Sequence, residues 1–256
     1  MLEGKKGVIF GIANDHSIAW GIGKKLRENG AKLAITYQNS SLLKRVKPLS
    51  EKLNSEFLIE CDVSKEKNIS NCFEKIAKKW TDIDFVIHAV AFSDRNELNG
   101  RYINTSKENF LNTMNISCYS FTKISYLSSL LMKNGGSLLT LSFYGSQKVM
   151  PSYNVMGVAK AALETSIKYL SIDLGDQNIR VNAISAGPMR TLAGAVISKS
   201  RTVFKYTEEN SPLKRNVNLN ELGNTAMYLV SDLSKGTTGE VHNVDCGFNI
   251  MGMPKI

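Results

Sequence analysis

Tyr153 and Lys160 stand seven residues apart in Pro151-Ser-Tyr-Asn-Val-Met-Gly-Val-Ala-Lys160. Seven residues are almost two α-helical turns, so the two side chains share a helix face about 10 Å apart along the axis. A lysine ammonium there can hold ribose hydroxyls, and its charge favours ionisation of a phenol or strong donation by it. The spacing alone is commonplace; a surface lysine and a packed tyrosine would look the same. A second region gives the pair context. The first strand-like run ends in Gly11-Ile-Ala13-Asn-Asp-His-Ser17-Ile18-Ala-Trp-Gly21. Gly11 and Ala13 are small where a backbone would approach a diphosphate, and Ser17-Ile18 open a helix whose free amides and dipole favour an anion. This is not G-x-G-x-x-G, and an ordinary capped helix start fits it equally.

Two more strand ends bear on the same chemistry. Thr36-Tyr37-Gln38 falls where a dinucleotide fold places the group that reads the adenosine ribose. An acidic residue there would argue for NAD and an arginine pair for NADP. Neutral Gln38 can bond ribose hydroxyls and leans to NADH, while nearby Lys44 and Arg45 leave NADPH open. In Cys61-Asp62-Val63 the carboxylate can accept from an adenine amino group as Val63 packs on the ring. Asp62 can equally cap the following helix.

The elements that must position these residues are short β-rich runs alternating with longer helical stretches. Strands are expected at Gly7–Gly11, Lys32–Thr36, Glu56–Cys61, Phe85–Ala89, Gly136–Leu141, Arg180–Ile184 and Glu240–Val244. Several are continuous apolar runs, as in a parallel sheet covered on both faces. Helices are expected near Ser17–Asn29, Ser41–Leu53, Lys65–Trp80, Lys107–Leu131, Tyr153–Leu174 and Asn220–Ser231. In the first, Ile18, Ile22 and Leu26 line one face. Seven strands separated by helices imply right-handed crossovers and a doubly wound parallel α/β sheet with helices on both faces. No linker or repeat divides residues 1–256, so one domain is expected. The stretch from Ala186 to Asn220 lacks a clear pattern and is too long for an ordinary connection, which reads as a lid or insertion.

Composition bounds the rest. With 43% hydrophobic residues the chain is not intrinsically disordered, and no run of apolar residues is long enough to cross a membrane. Met1 to Lys6 lead straight into a strand-like run, which reads as no signal peptide and a cytoplasmic protein. The formal charge is +9, from 32 Lys+Arg against 23 Asp+Glu. Eight arginines beside 23 asparagines suggest A/T-rich coding drift on solvated faces, so local clusters matter more than the total. There is no basic stripe or aromatic platform for nucleic acid. Cys61, Cys72, Cys118 and Cys246 and the three histidines have no metal-ligand spacing, so buried reduced thiols and no metal are expected.

The ordered set GIANDHSIAWGIG from Gly11, TYQN from Thr36, CDV from Cys61, LLTLS from Leu138, YNVMGVAKAALE from Tyr153, RVNAISAGPMRTLA from Arg180 and GEVHNVDCGF from Gly239 resembles the short-chain dehydrogenase/reductase superfamily. It most resembles the bacterial enoyl-acyl-carrier-protein reductases of type II fatty-acid synthesis. Ser17-Ile18-Ala19 in the first turn and His88-Ala-Val-Ala-Phe92 after the fourth strand mark that branch. The resemblance spans the chain and implies a Rossmann-like fold. It also implies reduction of the trans-2 double bond of enoyl thioesters by NADH. Tyr153 would donate to the thioester oxygen, and Lys160 would hold the nicotinamide ribose.

Also by resemblance, the cofactor would meet Gly11, Ala13, Ser17, Ile18, Gln38, Asp62, Val63, Val90, Ala91 and Lys160. A second stretch for it comprises Ala186, Gly187, Pro188, Met189, Thr191, Leu192 and Ala193. Ser93, Phe143, Tyr153, Met156 and Phe204 would line the substrate site. Thr191 to Leu213 would form a mobile lid containing Leu192, Val196, Ile197, Val203 and Phe204, although a surface helix packed on the sheet fits the same pattern.

Lys199, Arg201, Lys205, Lys214 and Arg215 would present a basic rim to an acidic acyl carrier protein. A homotetramer is implied, with Lys107–Leu131 as one interface. One position departs from the family: the usual second active-site tyrosine, ten residues before Tyr153, is Phe143. Tyr144 should point to the opposite side. The competing reading is a 3-oxoacyl or other carbonyl reductase. Such enzymes place a serine about a dozen residues before the tyrosine, which Ser142 and Thr140 match imperfectly.

Overall fold

The computed structural model describes residues 1–191 and 200–253. Seven strands, β1 (Lys6–Phe10), β2 (Lys32–Tyr37), β3 (Phe57–Glu60), β4 (Phe85–His88), β5 (Gly136–Ser142), β6 (Ile179–Ala186) and β7 (Val241–Val244), pair in the order 3-2-1-4-5-6-7. Every pairing is parallel. All carboxyl ends therefore emerge along one edge, and the strand order reverses between β1 and β4, where such sheets bind ligands. The expected strands are all present, with ends differing by one or two residues.

Alternation along each strand supplies two cores. Val8 and Phe10 of β1 pack with Val86, Leu138 and Val181 beneath α3 (Glu66–Ala77), α6 (Ser120–Ser129) and α7 (Asn154–Gly175). Ile9 points the other way, joining Leu33, Ile87, Leu139 and Ile184 beneath α1 (Ile18–Glu28), α2 (Ser40–Lys52) and α9 (Leu219–Val230). Ile22 and Leu26 are fully buried, and Ile18 packs at the same core's rim. A third cluster lies at the carboxyl edge: Leu98, Tyr153, Val155 and Met156, flanked by Phe110, Phe143 and Met150.

Three features differ from expectation. The single helix expected at Lys107–Leu131 is α5 (Lys107–Met114) and α6 joined by a π turn, Asn115–Tyr119. The wider turn turns polar groups toward the strand ends. Asn115 Nδ2 donates to the Ser64 carbonyl at 3.0 Å, and Ser117 Oγ bonds the Phe92 amide and carbonyl at 3.0 and 3.1 Å. A short α4 (Arg95–Leu98), capped by Asp94, was not anticipated. The patternless stretch contains α8 (Ser200–Asn210), whose run of polar residues masks its helical period.

Candidate active site

Gly11 lies just beyond β1 with φ +105°, a left-handed conformation that favours glycine. A Cβ there would sit 2.1 Å from the Ala89 carbonyl oxygen, so the lost side chain lets the ends of β1 and β4 close together. Ser17 is the N-cap of α1, but its hydroxyl donates backward to the Asn14 carbonyl at 2.6 Å. No side chain caps the helix, and the Trp20 amide turns back to the Ser17 carbonyl at 3.0 Å, so the Ile18 and Ala19 amides are the ones placed to meet an anion.

Gln38 is exposed immediately past β2, and Asp62 and Val63 follow β3. Asp62 does not cap α3, whose N-cap is Lys65; its Oδ1 accepts from the Ser64 amide and hydroxyl at 3.1 and 2.8 Å. Val63 is buried and Val90 half-buried on the same apolar face of the sheet. Ala186 and Gly187 are buried at the end of β6, followed by half-buried Pro188, Met189 and Thr191. The left-handed cradle, uncapped helix start and row of strand ends fit a dinucleotide. Leu192 and Ala193 lie outside the described residues, as do Val196, Ile197 and Lys199.

The reactive end is built on β5 and α7. Tyr153 is the N-cap of α7 rather than its first helical residue, and it is flanked by Ser152 (φ +58°) and Asn154 (φ +36°). Two left-handed non-glycine residues are a local strain held by surrounding contacts. One holder is Asn154 Nδ2, which donates to the carbonyls of Glu97 (3.2 Å) and Gly100 (3.4 Å).

The Phe143 ring meets Tyr153 edge-on, centroids 5.0 Å apart, whereas Tyr144 meets Phe248 at 6.0 Å. The two neighbours thus contact different partners: Phe143 is extended just past β5, and Tyr144 opens a 3-10 turn. Gly145 abuts the same phenol: a Cβ would lie 2.5 Å from Tyr153 Cδ1. Met156 is buried in the Tyr153 cluster. Ser93 is buried, its hydroxyl accepting from Asn109 Nδ2 at 3.2 Å. Phe204 is half-buried in α8 beneath the Arg190 guanidinium, 4.5 Å from the ring centre.

Lys160 is buried and donates to the Leu141 carbonyl at 2.7 Å. Burial pushes its pKa down to about 8 against the opposing pull of Cys118 and Glu164. Burial, reinforced by Glu164, pushes the Tyr153 phenol well above its ordinary value, keeping it a proton donor. His88 is fully buried between Thr140 Oγ1 and Ser120 Oγ, each at 2.9 Å; burial and the Lys160 charge lower it to about 3, so it stays neutral.

The hydroxyls considered for a carbonyl reductase are engaged elsewhere. Ser142 donates to Glu164 at 2.5 Å and Thr140 to the His88 carbonyl at 3.1 Å. Sequence reasoning did not find Glu164, Asn154 or Asn109, because their contacts join segments distant in the chain. Among the described residues no group of three or more His, Cys, Asp or Glu could hold a metal ion.

A tyrosine and lysine beyond the fifth strand, at the same sheet edge as an anion-ready first turn, is the arrangement of short-chain dehydrogenases and reductases. Within that class the chain belongs to the family described as Enoyl-(Acyl carrier protein) reductase, whose sequence profile matches residues 11–249. An NADH-type enoyl-acyl-carrier-protein reductase, FabI, of Rickettsia typhi is 54% identical over 256 residues, covering all of this chain and 98% of its own. The corresponding Nostoc protein is 45% identical over 255 residues, covering 98% and 99%. The crystal structure of the Anaplasma phagocytophilum reductase in complex with NAD superposes with a TM-score of 0.96 at 56% identity, covering all of this chain and 97% of that one. That of the Bacillus cereus reductase with NADP+ and an indole naphthyridinone gives 0.96 at 43% identity, covering 98% and 99%.

Proposed function

We infer that this chain is an NADH-dependent enoyl-acyl-carrier-protein reductase, converting trans-2-enoyl thioesters to saturated acyl thioesters in fatty-acid synthesis. The observation that carries it is the buried Tyr153–Lys160 pair at the same sheet edge as the Gly11 turn, in a chain matched throughout by NADH-type relatives. Gly11, Ala13, Ser17, Ile18, Gln38, Asp62, Val63, Val90, Ala91, Lys160 and the stretch from Ala186 through Ala193 would hold the dinucleotide, which supplies the hydride for the β-carbon.

The chain's own part is electrostatic. As negative charge develops on the thioester oxygen, the Tyr153 hydroxyl donates to it, a hydrogen bond that strengthens toward the transition state. The raised phenol pKa keeps that proton in place at neutral pH. Lys160 holds the ribose and presents positive charge beneath the site. Phe143, Met156, Phe204 and the backbone at Ser93 form the acyl wall, and the segment 191–213 acts as the lid that excludes water.

The substrate implies an acyl carrier protein as partner. Exposed Arg201, Lys205, Lys214 and Arg215 supply a basic rim for its acidic surface. Exposed Leu111 on α5, Tyr126 on α6 and Leu130 just past α6, and Tyr169 and Ile172 on α7, support a homotetramer built on those faces. No described helix is long and apolar enough to cross a membrane, and a cytoplasmic location suits this partner.

NADH oxidation with crotonyl and acetoacetyl thioesters tests the reading. Turnover confined to the crotonyl thioester supports it, and turnover of the acetoacetyl thioester alone overturns it. The same assay with NADPH decides the coenzyme.

A further inference from the structure

Glu164 follows Lys160 by one helical turn, and beyond its charge acting on Tyr153 and Lys160 the mechanism above gives its hydrogen bonds no part. One of its oxygens, Oε1, accepts from Ser142 Oγ at 2.5 Å and from Ser146 Oγ at 2.6 Å. Ser142 is the last residue of β5, and Ser146 closes the 3-10 turn Tyr144–Ser146. A single carboxylate oxygen thus brackets both ends of the segment 142–146.

That segment is the bed of the reactive pair. Immediately before it, the Leu141 carbonyl takes the Lys160 ammonium. Within it, Phe143 meets the Tyr153 ring and Gly145 lies against the same phenol. The Gly145 carbonyl also presses on Gly157 of α7, where a Cβ would come within 2.7 Å of its oxygen. Among the described residues no main-chain bridge closes the bracket: the Ser146 amide bonds the Phe143 carbonyl and the Gln147 amide that of Tyr144, so the turn's own bonds are internal to it. The tie from this loop to α7 at Ser142 and Ser146 runs through the carboxylate.

We propose that Glu164 is a positioning residue of the reduction, holding the β5–α7 loop against α7 so that Tyr153 and Lys160 keep their mutual placement. This rests on the functional reading above and deepens it. Ser142 is then part of a structural clasp, rather than the hydroxyl that a carbonyl reductase would aim at its substrate.

The test compares Glu164→Ala, Glu164→Gln and the double variant Ser142→Ala/Ser146→Ala in steady-state NADH oxidation with crotonyl thioester, with thermal melts of each. Displacing a reactive group by a fraction of an ångström to an ångström is costly, so Glu164→Ala should lower kcat at least about tenfold. The KM for NADH should rise less than kcat falls, because Lys160 is the one cofactor-binding group this loop holds, while the Gly11 turn and the ends of β2, β3 and β6 lie on other segments. An amide oxygen can accept from both hydroxyls, so Glu164→Gln should recover most of the rate, to within about threefold of wild type.

The double serine variant should reproduce the Glu164→Ala loss, and it decides the matter if Glu164→Ala does not fold. Wild-type kcat in either bracket-breaking variant, or an equal loss in Glu164→Gln and Glu164→Ala, overturns the proposal. A wild-type protein inactive on crotonyl thioester would instead overturn the functional reading.

Discussion

The Lys160 ammonium donates to the carbonyl of Leu141 at 2.7 Å, tying α7 to the end of β5. Burial lowers its pKa to about 8 against Cys118 and Glu164, which favour the charged form, while His88 stays neutral. A charged Lys160 is needed to hold the ribose, so kcat/KM for NADH, which reports the free enzyme, should fall as pH rises through about 8. A flat profile to pH 9.5 would contradict this. Stability should move the other way. An unfolded lysine keeps its proton to about pH 10.4, so between about 8 and that value the unfolded chain binds more protons and folding gains as pH rises.

Tyr153→Phe removes the donor while keeping the ring that packs on Phe143 and Gly145. Turnover should fall by roughly 10²-fold or more, the usual loss for an oxyanion donor, with an unchanged melting profile. A near-normal rate with crotonyl thioester would remove Tyr153 from its assigned role.

Phe143→Tyr restores the hydroxyl common in the family at a ring that already meets Tyr153 at 5.0 Å. Activity should change by less than about threefold, corresponding to under about 0.7 kcal/mol in the barrier. A large gain in kcat would show that the missing hydroxyl limits this enzyme.

Gly11→Ala places a methyl where the Ala89 carbonyl oxygen already stands, on a backbone at φ +105°. Opening the β1–β4 junction should destabilise the fold by about 1–3 kcal/mol. It should also weaken NADH binding. Urea unfolding and fluorescence titration measure the two effects, and wild-type values for both would refute the close-approach argument.

Arg201 and Lys205 are exposed on α8, Lys205 within 3.6 Å of Glu209. Reversing both charges should raise KM for carrier-linked crotonyl substrate at low ionic strength, an effect that salt screens, and leave the uncharged crotonyl-N-acetylcysteamine thioester unaffected. Equal effects on both substrates would locate these residues at the acyl pocket instead of the docking rim.

Much of this molecule was legible in its residue order. The strands are continuous apolar runs such as Gly-Val-Ile-Phe and Phe-Val-Ile-His, and burial on both faces of a parallel sheet leaves few other ways to satisfy them. The Gly11 turn, Gln38, Asp62 and the Tyr153–Lys160 spacing are local patterns, so their place at one edge followed once the strands were counted. What the order alone did not contain are the contacts that bridge long separations. Asn154 reaches the carbonyls of Glu97 and Gly100, and Asn115 reaches Ser64 from a π turn that no periodicity announces. The strained setting of Tyr153 and the Glu164 clasp on Ser142 and Ser146 belong to the same category. A hydrogen bond between segments brought together by the sheet has no signature in local spacing. Residue types could therefore nominate the reactive pair, but only the packing of β5, its loop and α7 decides how that pair is held.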